Sequence, residues 1–351
     1  MVPRFEEVVA RKSGAAYGVA VNSATSALHV ACKALDLKHG DRLWTSPNSF
    51  VASANCGRYC GAKIDFVDID PDTYNMSVGA LTEKLERAER GGTLPEVIIP
   101  VHFAGQSCDM RAIGDLAQKY GFRVVEDASH AIGALYEDEP VGNCKYSDIT
   151  VFSFHPVKII TTAEGGLATT NDEELAAKMA RLRSHGITRA PIELSRTTEG
   201  PWYYEQIELG FNYRMTDLQA ALGISQLRRL DEFVAARHRL ADRYDEELSS
   251  LPLKLPTRSP DARSALHLYP IQLQQNRKEI FTALRDAEIG VSVHYIPIHL
   301  QPDYARYGFK EGDFPEAEAY YKGAISLPMF SSLRDQDQDY VISRLKLALE
   351  L

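Results

Sequence analysis

Short apolar runs alternate with amphipathic stretches through the first two-thirds of the chain. The runs have the length of strands and occupy residues 18–22, 42–45, 63–67, 96–101, 122–126, 148–152 and 165–169. The stretches between them have helical spacing and occupy residues 25–35, 49–61, 78–90, 109–119 and 172–184. This alternation predicts an α/β fold in which a mostly parallel seven-stranded sheet is covered by helices on both faces.

The last third of the chain has a different pattern. A long helical pattern begins at residues 215–229 and continues through residues 231–248. Beyond it, the sequence predicts a smaller α/β unit with strands at 266–272 and 291–295, a helix at 277–288 and a terminal helix from about Asp335. We therefore expect a large domain at residues 1–230 and a small C-terminal domain at residues 231–351.

Composition and charge narrow the class of protein. Of the 351 residues, 44% are hydrophobic and 25% are charged, as in an ordinary globular protein. The net charge of −9 argues against nucleic acid as a partner, and no apolar run reaches the ~18 residues of a membrane-spanning helix. The five scattered cysteines favour free thiols in a reducing cytoplasm over disulfides or a metal site. The first residues lack the pattern of a secretory signal, so we expect a cytoplasmic protein.

Polar residues follow three of the predicted strands. Asn22, Asp127 and Ser153 all stand at carboxyl ends, where sheets of this kind bind their ligands. Lys158 comes five residues after Ser153. A lysine beyond one strand and an acid beyond another suit a pyridoxal 5′-phosphate (PLP) enzyme, because the lysine binds the cofactor covalently and the acid keeps the pyridine nitrogen protonated. The sequence therefore predicts Lys158 and Asp127 as catalytic residues.

Small hydroxyl residues open the helix that follows Asn22. Thr25 and Ser26 are among them. Hydroxyl groups and free backbone N–H groups at the start of a helix can hold a phosphate. Ordinary helix capping explains the same pattern, because Ser and Thr cap most helices. Ser153 adds another donor, and together with Lys158 these residues favour a phosphate site.

Four segments, read together, carry a resemblance to a known family. They are residues 22–29, 126–130, 152–158 and 210–215. With these landmarks in order from about residue 5 to residue 347, the chain resembles the sugar-nucleotide aminotransferases of the DegT/DnrJ/EryC1/StrS family, PLP-dependent enzymes of fold type I. The Phe-Ser-Phe-His-Pro-Val-Lys form of the third segment is most similar to the UDP-4-amino-4,6-dideoxy-N-acetyl-beta-L-altrosamine transaminase branch, on the route to pseudaminic acid.

The resemblance implies a role for each matching position near the cofactor ring. Lys158 matches the lysine that binds the cofactor, and Asp127 matches the acid beside the pyridine nitrogen. His130 matches the position beside the ring oxygen of the cofactor. Phe50 matches the aromatic residue that stacks on the ring.

Further positions match the phosphate and substrate sites. Asn212 matches a phosphate ligand that comes from the other subunit, so the resemblance implies a homodimer with shared active sites. The phosphate-holding positions within the subunit are Thr25, Ser26 and Ser153. The positions near the sugar nucleotide are His294, Tyr295, Ile296, Pro297 and His299.

The implied activity is the transfer of an amino group from L-glutamate to C4 of a 4-keto-6-deoxy sugar nucleotide, above all UDP-4-keto-6-deoxy-L-AltNAc. A perosamine-type or dTDP-sugar 4-aminotransferase is the nearest alternative. A PLP-dependent sugar dehydratase is a second one, although one such group has histidine in place of Lys158. A non-enzymatic module on the same scaffold is a third, but we would expect it to lack Lys158 or Asp127.

Overall fold

The computed structural model describes residues 1–196 and 200–350. Residues 197–199 and residue 351, which fall inside the two predicted domains, lie outside the described part. Within that part, no helix is both long enough and apolar enough to cross a membrane. No group of three or more His, Cys, Asp or Glu side chains is placed to hold a metal ion there.

Helices and strands alternate along most of the chain. The α-helices are α1 (Val2–Ser13), α2 (Ala24–Ala34), α3 (Ala52–Tyr59), α4 (Val78–Gly91), α5 (Met110–Tyr120), α6 (Glu173–Leu182), α7 (Asp217–Leu227), α8 (Leu230–Leu248), α9 (Arg277–Asp286), α10 (Pro302–Ala305), α11 (Pro315–Gly323) and α12 (Asp335–Ala348). The strands are β1 (Tyr17–Val21), β2 (Arg42–Thr45), β3 (Lys63–Phe66), β4 (Val97–Ile99), β5 (Arg123–Asp127), β6 (Leu135–Tyr136), β7 (Glu139–Pro140), β8 (Ile149–Ser153), β9 (Gly166–Thr170), β10 (Ile187–Thr188), β11 (Glu205–Gln206), β12 (Leu253–Lys254), β13 (Ala262–Arg263), β14 (Tyr269–Leu273) and β15 (Ala324–Leu327).

Local sequence signals explain several of the helix ends. The side chains of Ser77, Asp109 and Asp172 accept hydrogen bonds from backbone N–H groups in the first turns of α4, α5 and α6. Such capping satisfies donors that a helix leaves free at its start. Gly92 and Gly121 end α4 and α5 in the left-handed conformation, which glycine adopts without steric cost.

A seven-stranded sheet forms the centre of the molecule, in the order β1-β9-β8-β5-β4-β2-β3. The five strands from β8 to β3 are parallel, and β9 is antiparallel to both β8 and β1. Strand β9 therefore runs against the other six. The predicted mostly parallel seven-stranded sheet is confirmed.

Both faces of this sheet are buried. Along β4, Val97 and Ile99 pack into a core with helices α2, α3 and α6, whereas Ile98 packs on the opposite face with α4 and α5. Along β8, Val151 and Phe152 divide between opposite faces in the same way. Because each strand is covered on both sides, its sequence reads as a nearly continuous apolar run.

The C-terminal region builds a second, smaller sheet in the order β12-β14-β15. Its core includes residues of α8, α9 and α12. Strand β15 runs antiparallel to β14, and the sequence reading missed it. The predicted strand at 291–295 is wrong, because only Ser292 forms a bridge there, to Ser326. The strand predicted from residue 266 begins at Tyr269, because Leu266 has a φ of 51°.

Helices α7 and α8 divide the long helical pattern of the sequence into two. Helix α7 ends at Leu227 and α8 begins at Leu230. The backbone of Arg229 has φ −103° and ψ 4°, outside the helical range, so the pattern cannot continue as one helix. The division into domains at residue 230 stays a prediction.

Candidate active site

A cavity of about 320 Å³ lies at the carboxyl ends of β1, β5 and β8. The start of α2 and the turn after β8 also border it. Seven residues that the sequence analysis named line this cavity: Thr25, Phe50, Asp127, His130, Ser153, Lys158 and Tyr295. The parallel sheet therefore brings distant segments of the chain to one place.

Lys158 lies in the turn that follows β8. Its backbone N–H donates to the carbonyl of His155 at 2.9 Å. Burial lowers the pKa of Lys158 to about 8, and the negative charge of Asp127 partly opposes this lowering. A sizeable fraction of the amine is therefore neutral near pH 8, and the neutral amine is the form that acts as nucleophile or base.

Asp127 is the last residue of β5 and is 5% exposed. Its Oδ2 accepts a hydrogen bond from Oγ of Ser53 at 2.6 Å. Its Oδ1 accepts from Oγ of Ser129 at 2.6 Å and from the backbone N–H of the same residue at 3.1 Å. These donors fix the carboxyl group at the cavity wall. A carboxyl group held in this place suits a protonated ring nitrogen.

The start of helix α2 forms another wall of the cavity. Ser23 caps the helix with its side chain. A Cβ atom on Gly166 would lie 2.4–2.5 Å from backbone atoms of Ser23 and Ala24, so only glycine lets β9 pack this closely. Thr25 and Ser153 line the cavity beside the helix start. Free N–H groups, hydroxyls and the positive end of the helix dipole together suit a phosphate.

Ser26 does not line the cavity. Its Oγ donates to Oδ1 of Asn22 at 2.6 Å and lies 3.0 Å from Oγ of Ser23. The side chain is buried and braces the first turn of α2. The structure therefore corrects the predicted phosphate contact of the Ser26 side chain.

His130 and Tyr295 meet at the cavity wall. Nε2 of His130 lies 3.0 Å from the hydroxyl of Tyr295. Nδ1 of His130 is buried without a hydrogen-bond partner in the described residues. Burial and the nearby charge of Lys158 hold the pKa of His130 well below its usual value, so the ring is neutral. Phe50 is 59% exposed at the mouth, with its ring centre 6.5 Å from that of Tyr295.

The structure divides the predicted substrate-binding segment. Tyr295 lines the cavity, whereas Nδ1 of His294 lies 2.8 Å from Oγ of Ser326 and the histidine borders a neighbouring cavity. Ile296 is half-exposed, and Pro297 is buried ahead of a 3₁₀ turn. Neither Ile296 nor Pro297 lines the first cavity.

His299 has a structural environment instead of the predicted substrate contact. Its side chain is fully buried, and Nε2 lies 2.9 Å from Oε1 of Glu318. Its ring packs against Phe66 and Phe314. The prediction that His299 contacts the substrate is wrong, because the 3₁₀ turn directs this side chain into the core.

Asn212 lies outside the cavity of its own chain. It is exposed and forms a bridge with Ser184 beside the short strand β10. This position leaves it available to another molecule. Its predicted contact with the active site of a second subunit stays a prediction.

Several residues of the site were not found by sequence reasoning. Ser53 and Ser129 donate hydrogen bonds to Asp127. Ser23 and Ser49 line the cavity, and Oγ of Ser49 is hydrogen-bonded to Oγ of Ser53. Serine is a common residue, so the presence of a serine in the sequence does not by itself indicate a residue of the site. The Ser129 contact follows from its place two residues after Asp127, whereas the Ser53 contact depends on how α3 packs.

The chemistry of this cavity fits PLP. The amine of Lys158 forms no hydrogen bond within the described residues, and so is available for covalent attachment. Asp127 offers a fixed carboxylate, the start of α2 offers a phosphate cradle, and Phe50 offers an exposed ring. Each group of the cofactor thus has a chemically matched residue.

Comparison with known proteins agrees with this geometry. Residues 1–346 match the model of the DegT/DnrJ/EryC1/StrS aminotransferase family. The chain is 43% identical to the spore coat polysaccharide biosynthesis protein SpsC of Bacillus subtilis, covering 98% of this chain and 88% of that protein. It is 38% identical to a UDP-4-amino-4,6-dideoxy-N-acetyl-beta-L-altrosamine transaminase of Campylobacter jejuni, covering 99% of this chain and 90% of that one.

A solved structure extends this similarity to the fold. A putative sugar aminotransferase from Streptococcus pneumoniae, in its PMP form, superposes with a TM-score of 0.90 at 29% identity, covering 99% of this chain and 92% of that one. The chain therefore belongs to the DegT/DnrJ/EryC1/StrS aminotransferase family and is a PLP-dependent sugar aminotransferase.

Proposed function

We propose that this enzyme transfers an amino group from L-glutamate to C4 of UDP-4-keto-6-deoxy-L-AltNAc. The observation that carries the proposal is the meeting of Lys158 and Asp127 in one cavity, within a chain 38% identical to an altrosamine transaminase. The similarity to a spore coat polysaccharide protein supports a role in supplying sugars for a surface polysaccharide.

We assign the cofactor contacts to the residues that line the cavity. PLP, when bound, withdraws electrons from the carbon that carries the amino group. Asp127 would hold the proton on the pyridine nitrogen, and Phe50 would cover the ring. Thr25 and Ser153 would hold the phosphate together with the N–H groups at the start of α2. His130 would contact the ring oxygen.

Lys158 moves the proton in both halves of the reaction. Its neutral amine takes the proton from the carbon of the donor that loses the amino group. In the second half it returns a proton to the sugar carbon that gains the amino group. The lowered pKa, about 8, makes both directions accessible because the amine can hold or release a proton near neutral pH.

The assembly of the enzyme also belongs to this proposal. We propose a cytoplasmic homodimer in which Asn212 of the partner subunit completes the phosphate site. Several large apolar side chains lie exposed on the segment that contains Asn212 and on helix α7, which follows it: Trp202, Leu209, Leu218 and Leu222. Exposed apolar groups of this kind commonly mark a protein–protein interface.

The test combines a covalent trap with a product assay. Borohydride reduction of the PLP-loaded enzyme, followed by digestion, should place the cofactor on the peptide that contains Lys158. Incubation with L-glutamate and a panel of 4-keto-6-deoxy sugar nucleotides carrying UDP, GDP or dTDP should yield one aminated product, detected by mass. The Lys158→Ala variant is the negative control.

The panel separates the proposal from its rivals. Amination of the GDP sugar in preference to the UDP sugar would favour a perosamine-type enzyme. Release of ammonia without an aminated sugar would favour a dehydratase. Cofactor on any other peptide would contradict the assignment of Lys158.

A further inference from the structure

A second cavity, of about 840 Å³, adjoins the first one. The two share Val157 and Lys158 in their walls. The second cavity lies between the turn after β8, helix α8 and the loop after β15. It therefore offers space for a substrate that reaches the amine of Lys158 from the side of the C-terminal sheet.

The inner wall of this second cavity contains a buried arginine. Arg237 of helix α8 is 3% exposed. Its Nη1 donates to the backbone carbonyls of Leu266, His267 and Met329, at 3.1, 3.1 and 2.7 Å. Its Nε is buried without a partner, and no carboxylate forms an ion pair with it in the described residues.

A buried guanidinium without a counter-ion is energetically unfavourable. Removing an isolated charge from water is costly, whereas a buried charge that has a partner of opposite charge is tolerated. The two histidines that line the same cavity add no charge: burial lowers the pKa of His294 to about 4 and holds the pKa of His267 well below its usual value. Among the described residues, Arg237 and Lys158 are the Arg and Lys side chains that line the second cavity, and Arg237 is the one contributed by helix α8.

We propose that Arg237 binds a carboxylate of the amino donor in this second cavity. The proposal rests on the proposed function, because it assumes a dicarboxylic donor such as L-glutamate. The charge balance favours a carboxylate over the diphosphate of a sugar nucleotide. Glu288 and Asp337 also line the cavity, so the adjacent charges of a diphosphate would meet more repulsion there than a single carboxylate group.

Binding of glutarate to the PLP-loaded enzyme tests the proposal. Glutarate keeps both carboxylates of glutamate and lacks the amino group, so titration calorimetry measures its binding without reaction. Arg237→Met should weaken glutarate binding by about thirtyfold or more, as expected for the loss of one partner of a buried charge pair. Arg237→Lys should lose less, because it keeps the charge but not the fork of the guanidinium.

Arg239→Met is the matched control. It removes one positive charge from the same helix at an exposed position, so glutarate binding should stay within about twofold. Binding of UDP tests the alternative that Arg237 binds a diphosphate, and the affinity for UDP should be unchanged in all variants. Circular dichroism checks folding, and if Arg237→Met does not fold, the result for Arg237→Lys decides.

Three results would overturn the proposal. The first is that the parent enzyme does not bind glutarate. The second is that a folded Arg237 variant binds glutarate as the parent does. The third is that the Arg237 variants lose binding of UDP and not of glutarate. The amination assay is independent of this test. A failure to aminate any sugar of the panel would remove the proposed function, while an Arg237-dependent glutarate site would still stand.

Discussion

The hydroxyl of Tyr295 lies 3.0 Å from Nε2 of His130, although the two residues are 165 positions apart in the sequence. The family resemblance implies different partners for them, the cofactor for His130 and the substrate for Tyr295. Their contact therefore joins a residue expected at the cofactor to one expected at the substrate. Both side chains line the cavity that contains Lys158.

Tyr295→Phe should destabilise the fold by about 1–3 kcal/mol, because it leaves His130 buried with neither ring nitrogen paired. The free energy of unfolding in urea measures this effect. Tyr340→Phe is the control, since Tyr340 is half-exposed and its hydroxyl makes one long hydrogen bond, so the change in the free energy of unfolding should stay within about 0.5 kcal/mol. If the two variants had the same free energy of unfolding, the contact between Tyr295 and His130 would not contribute to stability.

The pKa of Lys158 predicts how fast the cofactor-free protein takes up PLP. With the pKa near 8, about a tenth of the amine is neutral at pH 7 and about nine-tenths at pH 9. The rate of uptake, followed by the absorbance of the attached cofactor, should therefore rise about tenfold over this range. Asp127→Asn removes the charge that opposes the lowering, so the midpoint should move to lower pH. A rate independent of pH would contradict the assignment.

Gly166→Ala tests the packing of β9 on the start of α2. The new Cβ would lie within 2.5 Å of the backbone of Ser23 and Ala24, so the helix must shift. We expect at least tenfold weaker PLP binding, measured by equilibrium dialysis, together with a lower melting temperature. Gly79→Ala is the matched control: its Cβ meets only Oγ of Ser77 at 3.7 Å, and this helix position should become up to about 1 kcal/mol more stable.

Mixing two inactive variants tests the shared active site. If Asn212 serves the site of the partner subunit, Lys158→Ala and Asn212→Ala should each be inactive alone. After exchange of subunits, each mixed dimer contains one intact site, so activity should recover to about a quarter of that of the parent. No recovery, with exchange verified by native mass spectrometry, would place Asn212 in its own subunit or outside the site.

The strand ends made much of the site predictable from sequence. Asp127, Ser153 and Lys158 follow apolar runs, and parallel strands bring such ends together. The contact of Ser53 with Asp127 was not predictable, because it depends on the packing of helix α3 rather than on a local pattern. Arg237 belongs to a helix with many charged residues, and its burial becomes visible only in the folded chain.

The family resemblance could not decide the orientation of individual side chains. Tyr295 and His299 stand four residues apart in one matched segment. The 3₁₀ turn between Ile298 and Leu300 sends His299 to Glu318, while Tyr295 stays at the cavity. A resemblance transfers positions along the chain, but the local backbone decides which side chains reach the ligand.

The reversed direction of β9 determines how firmly the lysine is held. Ser153 and Gly166 face each other across β8 and β9, and the N–H of Phe154 donates to the carbonyl of Gly165 at 2.9 Å. Lys158 thus stands on a hairpin loop anchored at both ends to the central sheet. If the C-terminal sheet swings to close over a substrate, the amine stays still and the incoming groups must travel to it.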